Sequence, residues 1–377
     1  MRILHVTTRM VKGGAPRNIL FSIDWERRAG HDVHLAMGPD GIPDQLPPGT
    51  KLEVIPHLGR ALRPDNDFRA YVELARYIRQ QHFDIVHTHY SKAGILGRLA
   101  ARGRAGVVVH TIHMASFGVG YARLTSWMFR AAERYCARFT DLFVSVGEDL
   151  KRLYLQAGVG REAQFTVIRS PMDIERFARA RRFDDAQRQR LRANLGVPPG
   201  IPIIAAAGLL EPRKRFAMII ENLSPLLATG QALLLIAGAG PEEASLRALA
   251  GRYRAGGVRF LGFIDNLEEL FAVASVLVHA SRVEGVPQVV VQALAAGLPV
   301  VATNVEGMGE AFASAVTLVD RNGNGLALAC QRVLLAPRFS PVEPSVLQPW
   351  TDSEVEAQLR QFHQRLAAAV AEGRATA

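Results

Sequence analysis

Cysteine is scarce in this sequence, and its scarcity excludes two kinds of protein. The chain has 377 residues but only two cysteines, Cys136 and Cys330, which are too few for a disulfide framework or for a zinc site built on cysteine. The first residues, Met-Arg-Ile-Leu-His-Val-Thr-Thr, lack the long apolar core and the small-residue cleavage site of a signal peptide. We therefore expect a cytoplasmic protein in a reducing compartment.

An uninterrupted apolar run is also missing. The stretch 285–305 has no charged residue and about the length of a membrane span, but Pro287, Gly297 and Pro299 interrupt it. The sequence there predicts a helix, a turn and a buried strand, and no segment that crosses a bilayer.

Lysine is rare, and the positive charge is confined to one half of the chain. Only five of the 45 basic residues are lysine, and the formal net charge is +10. Residues 1–200 hold 31 Lys and Arg against 19 Asp and Glu, whereas residues 201–377 hold 14 against 16. A basic half predicts an anionic partner, such as a nucleic acid, a membrane surface or a charged substrate. Since the sequence has no zinc-finger spacing and no RNA-binding signature, we expect no nucleic acid.

One basic segment leaves two interpretations open. In 121–139, Arg123, Arg130, Arg134 and Arg138 alternate with large apolar side chains such as Trp127. On a helix these arginines fall near one face. The segment is either a helix that lies on lipid headgroups or a core-packed helix with a solvated arginine stripe.

Apolar residues, by contrast, are abundant at 49%, enough for substantial cores. Short buried strands alternate with helices in both halves of the chain. The predicted strands are 3–7, 31–37, 84–89, 107–112, 141–146, 203–208, 232–237, 259–260, 276–279 and 299–302. This alternation predicts two tandem, doubly wound α/β domains that face a central cleft, with ligands at the carboxyl ends of the strands.

The expected domain boundaries follow from where the alternation stops and resumes. The first domain is expected at 1–172, an arginine-rich linker at 173–200 and the second domain at 201–350. The last segment, 351–377, is predicted to be a helix that returns toward the first domain.

The most informative motifs lie in the second half. Arg213, Lys214 and Arg215 follow a predicted strand and Gly208, and Lys214 is the only lysine after residue 151. The segment Glu284-Gly-Val-Pro follows another strand and opens a helix. Cations beside a helix N-terminus are typical of a diphosphate site, and Gln292 on the same helix suits a contact with the other end of a nucleotide-sugar.

A metal site is not expected. His87 and His89 place two imidazoles on one face of a strand, but the sequence offers no obvious third ligand.

As an ordered set, the motifs resemble the retaining GT-B glycosyltransferases of family 4, which have two Rossmann-like domains. The matching stretches in the second half are Gly238–Glu242, Phe260–Phe263, Glu284–Pro287 and 295–302. Those in the first half are Gly13-Gly14, 30–33, 84–89, 91–94, 110–113 and 173–177.

The resemblance implies a role for each matching residue. Glu284 would contact hydroxyl groups of the donor sugar, Lys214 would neutralise the diphosphate leaving group, and His113 would lie at the reacting centre. The implied donor-binding residues are Gly14, Gly208, Arg213, Arg215, Phe263, Ile264, Gly285, Val286, Pro287 and Gln292. Two positions depart from the family pattern: Gln292 stands where a glutamate usually holds the ribose, and Leu209 replaces an arginine.

The resemblance therefore implies a retaining, metal-independent glycosyltransferase without a cofactor. A UDP-sugar is the expected donor, and a lipid-linked, lipopolysaccharide or polysaccharide acceptor is expected at the inner face of the cytoplasmic membrane. Two alternatives remain at this point. One is a sugar-nucleotide epimerase of the same architecture, and the other is a catalytically weak relative that binds nucleotides or glycans.

Overall fold

The computed structural model describes residues 1–11, 13–44, 46–253, 256–305, 307–308, 312, 314–335 and 342–375. It divides into two compact units. Unit 1 comprises Met1–Pro171 with Asp352–Ala377, and unit 2 comprises Met172–Thr351.

Unit 1 is built on a parallel sheet. Its strands are β1 (Arg2–Arg9), β2 (Asp32–Asp40), β3 (Lys51–Val54), β4 (Ile85–His89), β5 (Val107–Ile112), β6 (Leu142–Ser145) and β7 (Phe165–Val167). The intervening helices are α1 (Gly14–Arg28), α2 (Pro64–Gln81), α3 (Ser91–Ala101), α4 (Arg123–Cys136) and α5 (Glu148–Gln156). Every side chain of β4, β5 and β6 is buried, as expected for a parallel sheet with helices on both faces.

The strand order of this sheet is β3-β2-β1-β4-β5-β6-β7, and all neighbours pair in parallel. The order reverses direction between β1 and β4. In doubly wound sheets this reversal opens a crevice at the carboxyl ends of the two strands, and ligands bind there.

Unit 2 repeats the plan. Its strands are β8 (Ile203–Ala207), β9 (Leu233–Ala237), β10 (Val258–Gly262), β11 (Val276–His279), β12 (Val300–Thr303) and β13 (Thr317–Val319). Its helices are α6 (Ile174–Ala178), α7 (Asp185–Asn194), α8 (Phe216–Ala228), α9 (Glu243–Ala250), α10 (Leu267–Val273), α11 (Gln288–Ala295), α12 (Leu326–Leu334) and α13 (Pro344–Leu347). The parallel order β10-β9-β8-β11-β12-β13 reverses between β8 and β11. The prediction of two doubly wound α/β domains is confirmed.

Three of the described strands are not predicted by the sequence analysis, and all three lie at an edge of their sheet. β3 and β7 close the two sides of the unit 1 sheet, and β13 closes one side of the unit 2 sheet. None is fully buried, and each has only three or four residues. A strand with one neighbour and an exposed side needs no continuous apolar run, so it leaves a weak signal in the sequence.

The segment 173–200 differs from the expected linker. It contains α6 and α7, and its side chains Ile174, Phe177, Ala180 and Val197 belong to the core of unit 2. The reason is that its few apolar residues are spaced for helices that cover one face of the sheet, although arginine dominates its composition.

The final helix, α14 (Asp352–Ala375), belongs to unit 1. Its apolar side chains pack against Ile3, Ile85 and Val109 of the unit 1 sheet, and they are Val355, Leu359, Phe362, Leu366 and Val370. The chain therefore leaves unit 1, builds unit 2, and completes the core of unit 1 with its last helix.

The uncharged stretch 285–305 contains helix α11 and strand β12, as the sequence predicts. Among the described helices, none is both long enough and apolar enough to cross a bilayer.

Candidate functional site

The cations and the carboxylate singled out in the sequence meet at the strand-order reversal of unit 2. Lys214 ends a 3-10 turn, Pro212–Lys214, after β8, and Glu284 lies in the loop after β11. Since β8 and β11 are parallel neighbours, their carboxyl ends bring both loops to one edge of the sheet. Lys214 Nζ lies 2.6 Å from Glu284 Oε1.

Close contact between two glycines shapes the loop that carries the cations. A methyl group on Gly238 would lie 1.9 Å from the carbonyl oxygen of Gly208, and the two residues have φ angles of 141° and 147°. The amide of Gly208 donates to the carbonyl of Ala237 at 3.0 Å, so the loops after β8 and β9 run side by side. Only glycine permits this approach without strain.

Arg215 donates hydrogen bonds to the backbone of the loop after β11. Its guanidinium donates to the carbonyl oxygens of Ala280 at 2.6 Å and of Ser281 at 3.0 Å, and to Thr303 Oγ1 at 3.2 Å. These bonds fix the loop after β11 against β12. The contacts of Arg215 are therefore structural, unlike those of its neighbours in the cationic turn.

Glu284 is a buried carboxylate surrounded by basic side chains. Its side chain is 6% exposed; His279 Nε2 lies 3.2 Å from Oε1, and Arg213 Nη1 lies 3.8 Å from Oε2. Burial by itself raises the pKa of Glu284, but Lys214, His279 and Arg213 outweigh that effect and hold it well below its usual range. Glu284 is thus ionised at neutral pH and accepts hydrogen bonds only.

The cations are only partly neutralised by Glu284. A lysine ammonium has three N–H groups, and Glu284 accepts one from Lys214. Arg213 divides its guanidinium between Glu284 and Glu211, whose Oε1 lies 2.9 Å from Arg213 Nε. This arrangement can bind an anion through Lys214 while the carboxylate accepts from hydroxyl groups.

Helix α11 begins beside the pair. Pro287 is its N-cap, its first turn contains no acidic residue, and no described side chain caps its first amides. An uncapped helix N-terminus carries a partial positive charge and binds anions. The preceding loop is packed tightly, since a methyl group on Gly307 would lie 2.7 Å from the carbonyl oxygen of Gly285. The residues Gly285–Pro287 therefore occupy a fixed position.

The remaining predicted residues of unit 2 lie directly after a strand of the same sheet or on α11. Phe263 and Ile264 follow β10, and Phe263 is exposed. The amide of Gly238 donates to the carbonyl of Gly262 at 2.7 Å, which joins the loops after β9 and β10. Gln292 lies one turn beyond Gln288 on α11 and is half-buried, and its side chain has no hydrogen-bond partner among the described residues.

The two predicted residues of unit 1 lie beyond strand ends. Gly14 is the first residue of α1, after β1. His113 directly follows β5, and its Nε2 lies 3.1 Å from His89 Nδ1 at the end of β4. Burial lowers the pKa of His113 to about 3, so its imidazole is neutral at pH 7.

Comparison with known proteins shows which family this chain belongs to. The model "Glycosyltransferase Family 4" matches residues 13–176, and the model "Glycosyl transferases group 1" matches residues 201–335. EpsD of Bacillus subtilis, which carries a provisional assignment as a glycosyltransferase, is 30% identical over 75% of this chain and 74% of its own length. The chain belongs to the family 4 glycosyltransferases.

Other relatives of this glycosyltransferase extend over similar lengths. The UDP-Gal:α-D-GlcNAc-diphosphoundecaprenol α-1,3-galactosyltransferase of Escherichia coli is 26% identical over 81% of this chain and 80% of its own length. A phosphatidyl-myo-inositol mannosyltransferase of Mycolicibacterium smegmatis is 28% identical over 78% and 74%. Because these relatives are transferases, the epimerase alternative finds no support in them.

Solved structures share the fold of this glycosyltransferase. HepE of Anabaena, in complex with UDP-glucose, aligns with a TM-score of 0.76 over 97% of this chain and 100% of its own, at 20% identity. Sucrose-phosphate synthase of Thermosynechococcus elongatus aligns with a TM-score of 0.80 over 98% and 99%, at 21% identity.

A histidine cluster in unit 1 is the part of the molecule that sequence reasoning missed. The sequence singles out His87 and His89, but the structure adds His5 from β1, and ligand atoms of the three lie within 4.8 Å of one another. His5 Nε2 lies 2.7 Å from Glu26 Oε2, and His5 Nδ1 lies 2.9 Å from His89 Nε2. Alternation of the β1 residues is the one signal that could have placed His5 on the same face.

The surface of α4 resolves one open interpretation. Four large side chains of this helix are exposed and form what we call the α4 patch: Leu124, Trp127, Met128 and Tyr135, with exposed fractions of 69, 59, 50 and 45%. In this fully described helix, only Glu133 and Cys136 are buried. The interpretation of a core-packed helix is therefore wrong, because the apolar stripe faces outward beside the arginines.

Proposed function

We propose that this glycosyltransferase moves a sugar from a UDP-sugar, with retention at the anomeric carbon, to a lipid-linked or polysaccharide acceptor. The observation that carries the proposal is the Lys214–Glu284 pair at the strand-order reversal of unit 2, beside the N-terminus of α11. A nucleotide diphosphate needs cations, and a sugar needs a fixed acceptor of hydrogen bonds. The pair supplies both within 2.6 Å.

Fixed positive charge stabilises the leaving group. When the bond between the anomeric carbon and the phosphate oxygen breaks, negative charge accumulates on the diphosphate. Lys214, Arg213 and the amides before α11 stabilise this charge at a poorly hydrated position, where electrostatic stabilisation is strongest. In this proposal they provide the charge that a divalent ion provides in metal-dependent transferases.

Glu284 orients the donor sugar. An ionised carboxylate accepts from two hydroxyl groups at once, and such charge-assisted bonds are about twice as strong as neutral ones. The backbone amides of Gly208, Gly285 and Val286 lie beside the phosphates. Pro287 has no N–H and contributes only its fixed φ angle. Phe263, Ile264 and Gln292 hold the nucleoside.

The residues of unit 1 keep the roles that the family resemblance gives them. His113 meets the reacting sugar, and Gly14 lets backbone approach the donor closely. As the anomeric carbon leaves the phosphate, the acceptor oxygen bonds to the same face of the sugar, and the hydroxyl proton passes to the departing phosphate.

The acceptor proposal is supported by the acceptors named for two relatives and by the exposed α4 patch of this chain. The galactosyltransferase of E. coli acts on a diphosphoundecaprenol glycan, and the mannosyltransferase acts on a phosphatidyl-inositol. Both of these acceptors are anionic lipids. In this chain, the α4 patch is flanked by Arg123 and Arg130, which are exposed. An apolar stripe with flanking arginines fits an anionic bilayer surface at the inner face of the cytoplasmic membrane.

The test is a donor panel with an acceptor extract. Purified protein is incubated with UDP-glucose, UDP-galactose, UDP-N-acetylglucosamine and GDP-mannose, each with a lipid extract and with or without a chelator. We expect chelator-resistant transfer from one UDP-sugar to a lipid fraction, with the anomeric configuration of the donor retained. Transfer from GDP-mannose alone, transfer that the chelator abolishes, or binding without transfer contradicts the corresponding part of the proposal.

A further inference from the structure

Four side chains of unit 1 form a continuous line of hydrogen bonds that ends at His113. Glu26 Oε2 lies 2.7 Å from His5 Nε2, His5 Nδ1 lies 2.9 Å from His89 Nε2, and His89 Nδ1 lies 3.1 Å from His113 Nε2. Glu26 lies on α1, His5 on β1 and His89 on β4. The line crosses the sheet between β1 and β4, at the strand-order reversal of unit 1.

The line is shielded from water except at its end. Glu26, His5 and His89 are exposed by 1% or less, whereas His113 is half-buried. Both ring nitrogens of His5 and both of His89 are used within the line. Each proton on the line therefore has only two positions, one on each side of a hydrogen bond.

The carboxylate of Glu26 determines which group donates and which accepts in the hydrogen bonds of the line. Burial raises the pKa of Glu26, but His5 and His363 outweigh it and hold the pKa far below its usual range. An ionised carboxylate only accepts, so His5 Nε2 donates to Glu26. If His5 is neutral, its Nδ1 has no proton and must accept from His89 Nε2. By the same rule His89 Nδ1 accepts from His113 Nε2, which leaves His113 Nδ1 without a proton.

A second imidazole shares the charge of Glu26. His363 Nε2 lies 3.2 Å from Glu26 Oε1, and its side chain is 7% exposed. The carboxylate therefore has a partner outside the line as well as His5. Burial lowers the pKa values of His89 and His113, which keeps these two rings neutral, so each has one N–H and one lone pair.

We propose that Glu26, His5 and His89 are positioning residues that hold His113 in a single tautomer, with Nε2 protonated and Nδ1 unprotonated. The Nδ1 lone pair then accepts a hydrogen bond from a substrate hydroxyl group, whereas the other tautomer presents an N–H in its place. The catalytic consequence rests on the proposed function, in which His113 meets the reacting sugar. The tautomer itself is a property of unit 1 and can be measured without substrate.

His87 provides a matched control. It lies on β4 two residues before His89, is 7% exposed, and its ring centroid is 4.5 Å from that of His89. Its Nε2 lies 2.6 Å from Thr111 Oγ1, so it stands beside the line without being part of it. It is also one of the three histidines whose ligand atoms could share a metal ion.

The experiment measures the ring nitrogens of His113 by ¹⁵N NMR in the full chain, assigned with His113→Gln. In the wild-type protein we expect Nε2 protonated and Nδ1 unprotonated, and this measurement needs no variant to fold. Glu26→Gln replaces the carboxylate by an amide that can accept or donate, so we expect both tautomers of His113 to be populated. Turnover should fall at least about tenfold, since the substrate hydroxyl group loses the lone pair that orients it. His87→Gln should leave the tautomer as in the wild type.

Three outcomes overturn the proposal: a protonated Nδ1 in wild-type His113, an unchanged tautomer in Glu26→Gln, or a changed tautomer with unchanged turnover. Stoichiometric zinc that is lost in both His87→Gln and His89→Gln would instead assign the cluster to a metal. Failure of the proposed function is distinguishable, because a wild-type protein that transfers no sugar can still show the single tautomer.

Discussion

Lys214 Nζ and Glu284 Oε1 lie 2.6 Å apart, although 70 positions separate the two residues in the chain. In the proposed function, this contact joins the cation that stabilises the leaving group to the carboxylate that binds the donor sugar. Both side chains are largely buried, Glu284 being 6% and Lys214 14% exposed. Their ion pair therefore restricts the position of each side chain. The same pair therefore contributes to stability and to the proposed chemistry, and variants at the two positions should separate these contributions.

We predict that Lys214→Ala reduces turnover by about tenfold or more, because the leaving diphosphate loses its nearest cation. The melting temperature should also fall by a few degrees, since Glu284 stays buried with Arg213 and His279 as its remaining partners. Steady-state kinetics and thermal unfolding measure the two effects. Arg282→Ala, an exposed cation in the loop after β11, is the control and should change neither. Wild-type turnover in Lys214→Ala would disprove the leaving-group role.

Glu284→Gln should reveal a pH-dependent contribution to stability. The pKa of Glu284 is held below its ordinary value of 4.5 in the folded protein, so its ionised form stabilises the fold above that pH. This stability is lost as the pH falls below 4.5 toward the folded-state pKa. We therefore expect the wild type to melt at a higher temperature than Glu284→Gln at pH 7, with a smaller difference at pH 3. A difference that stays constant with pH would mean that the charge of Glu284 is not stabilised by its neighbours.

Gln292→Glu should strengthen donor binding if this side chain meets the ribose. A carboxylate accepts from two hydroxyl groups, and charged hydrogen bonds are worth roughly 1.5–3 kcal/mol against about 1 kcal/mol for neutral ones. The expected gain is about 0.5–2 kcal/mol, or roughly twofold to thirtyfold in affinity. Isothermal titration with the nucleotide-sugar and a melting curve test this together. Weaker binding with a lower melting temperature would place Gln292 in packing instead, where a buried carboxylate is costly.

Anionic vesicles should bind the protein through the α4 patch. We expect flotation with anionic but not with neutral lipid, and binding that weakens with salt as the Debye length shrinks from about 10 Å at 0.1 M to about 3 Å at 1 M. Replacing Leu124 and Trp127 by Ala should reduce binding about tenfold or more, since both side chains lose apolar area that the interface buries.

Phe68→Ala is the matched control for the vesicle experiment, because Phe68 is 67% exposed on another helix of unit 1. Equal flotation of all variants, or no difference between neutral and anionic lipid, would remove the membrane contact from the proposal.

The contact between Lys214 and Glu284 could be anticipated from the sequence because both residues belong to recognisable motifs. Lys214 belongs to a cationic turn directly after one strand, and Glu284 to a loop directly after another. In parallel sheets such loops converge at one edge, so the motif positions imply proximity. Arg215 is an exception, since sequence cannot show that its guanidinium is consumed by the carbonyls of Ala280 and Ser281.

By itself, the sequence determined the two doubly wound units and the positions of the turn and the loop that carry Lys214 and Glu284, because apolar periodicity and turn chemistry act over a few residues. Only the tertiary structure decided that 173–200 joins the core of unit 2 and that the apolar side of α4 faces outward. It also decided that Glu26, His5, His89 and His113 form one line. These contacts join residues that are distant in the chain, and their existence depends on which strands are neighbours and which helix faces are covered. The free energy that selects them comes from packing and from pairing buried polar groups, which no short stretch of sequence contains.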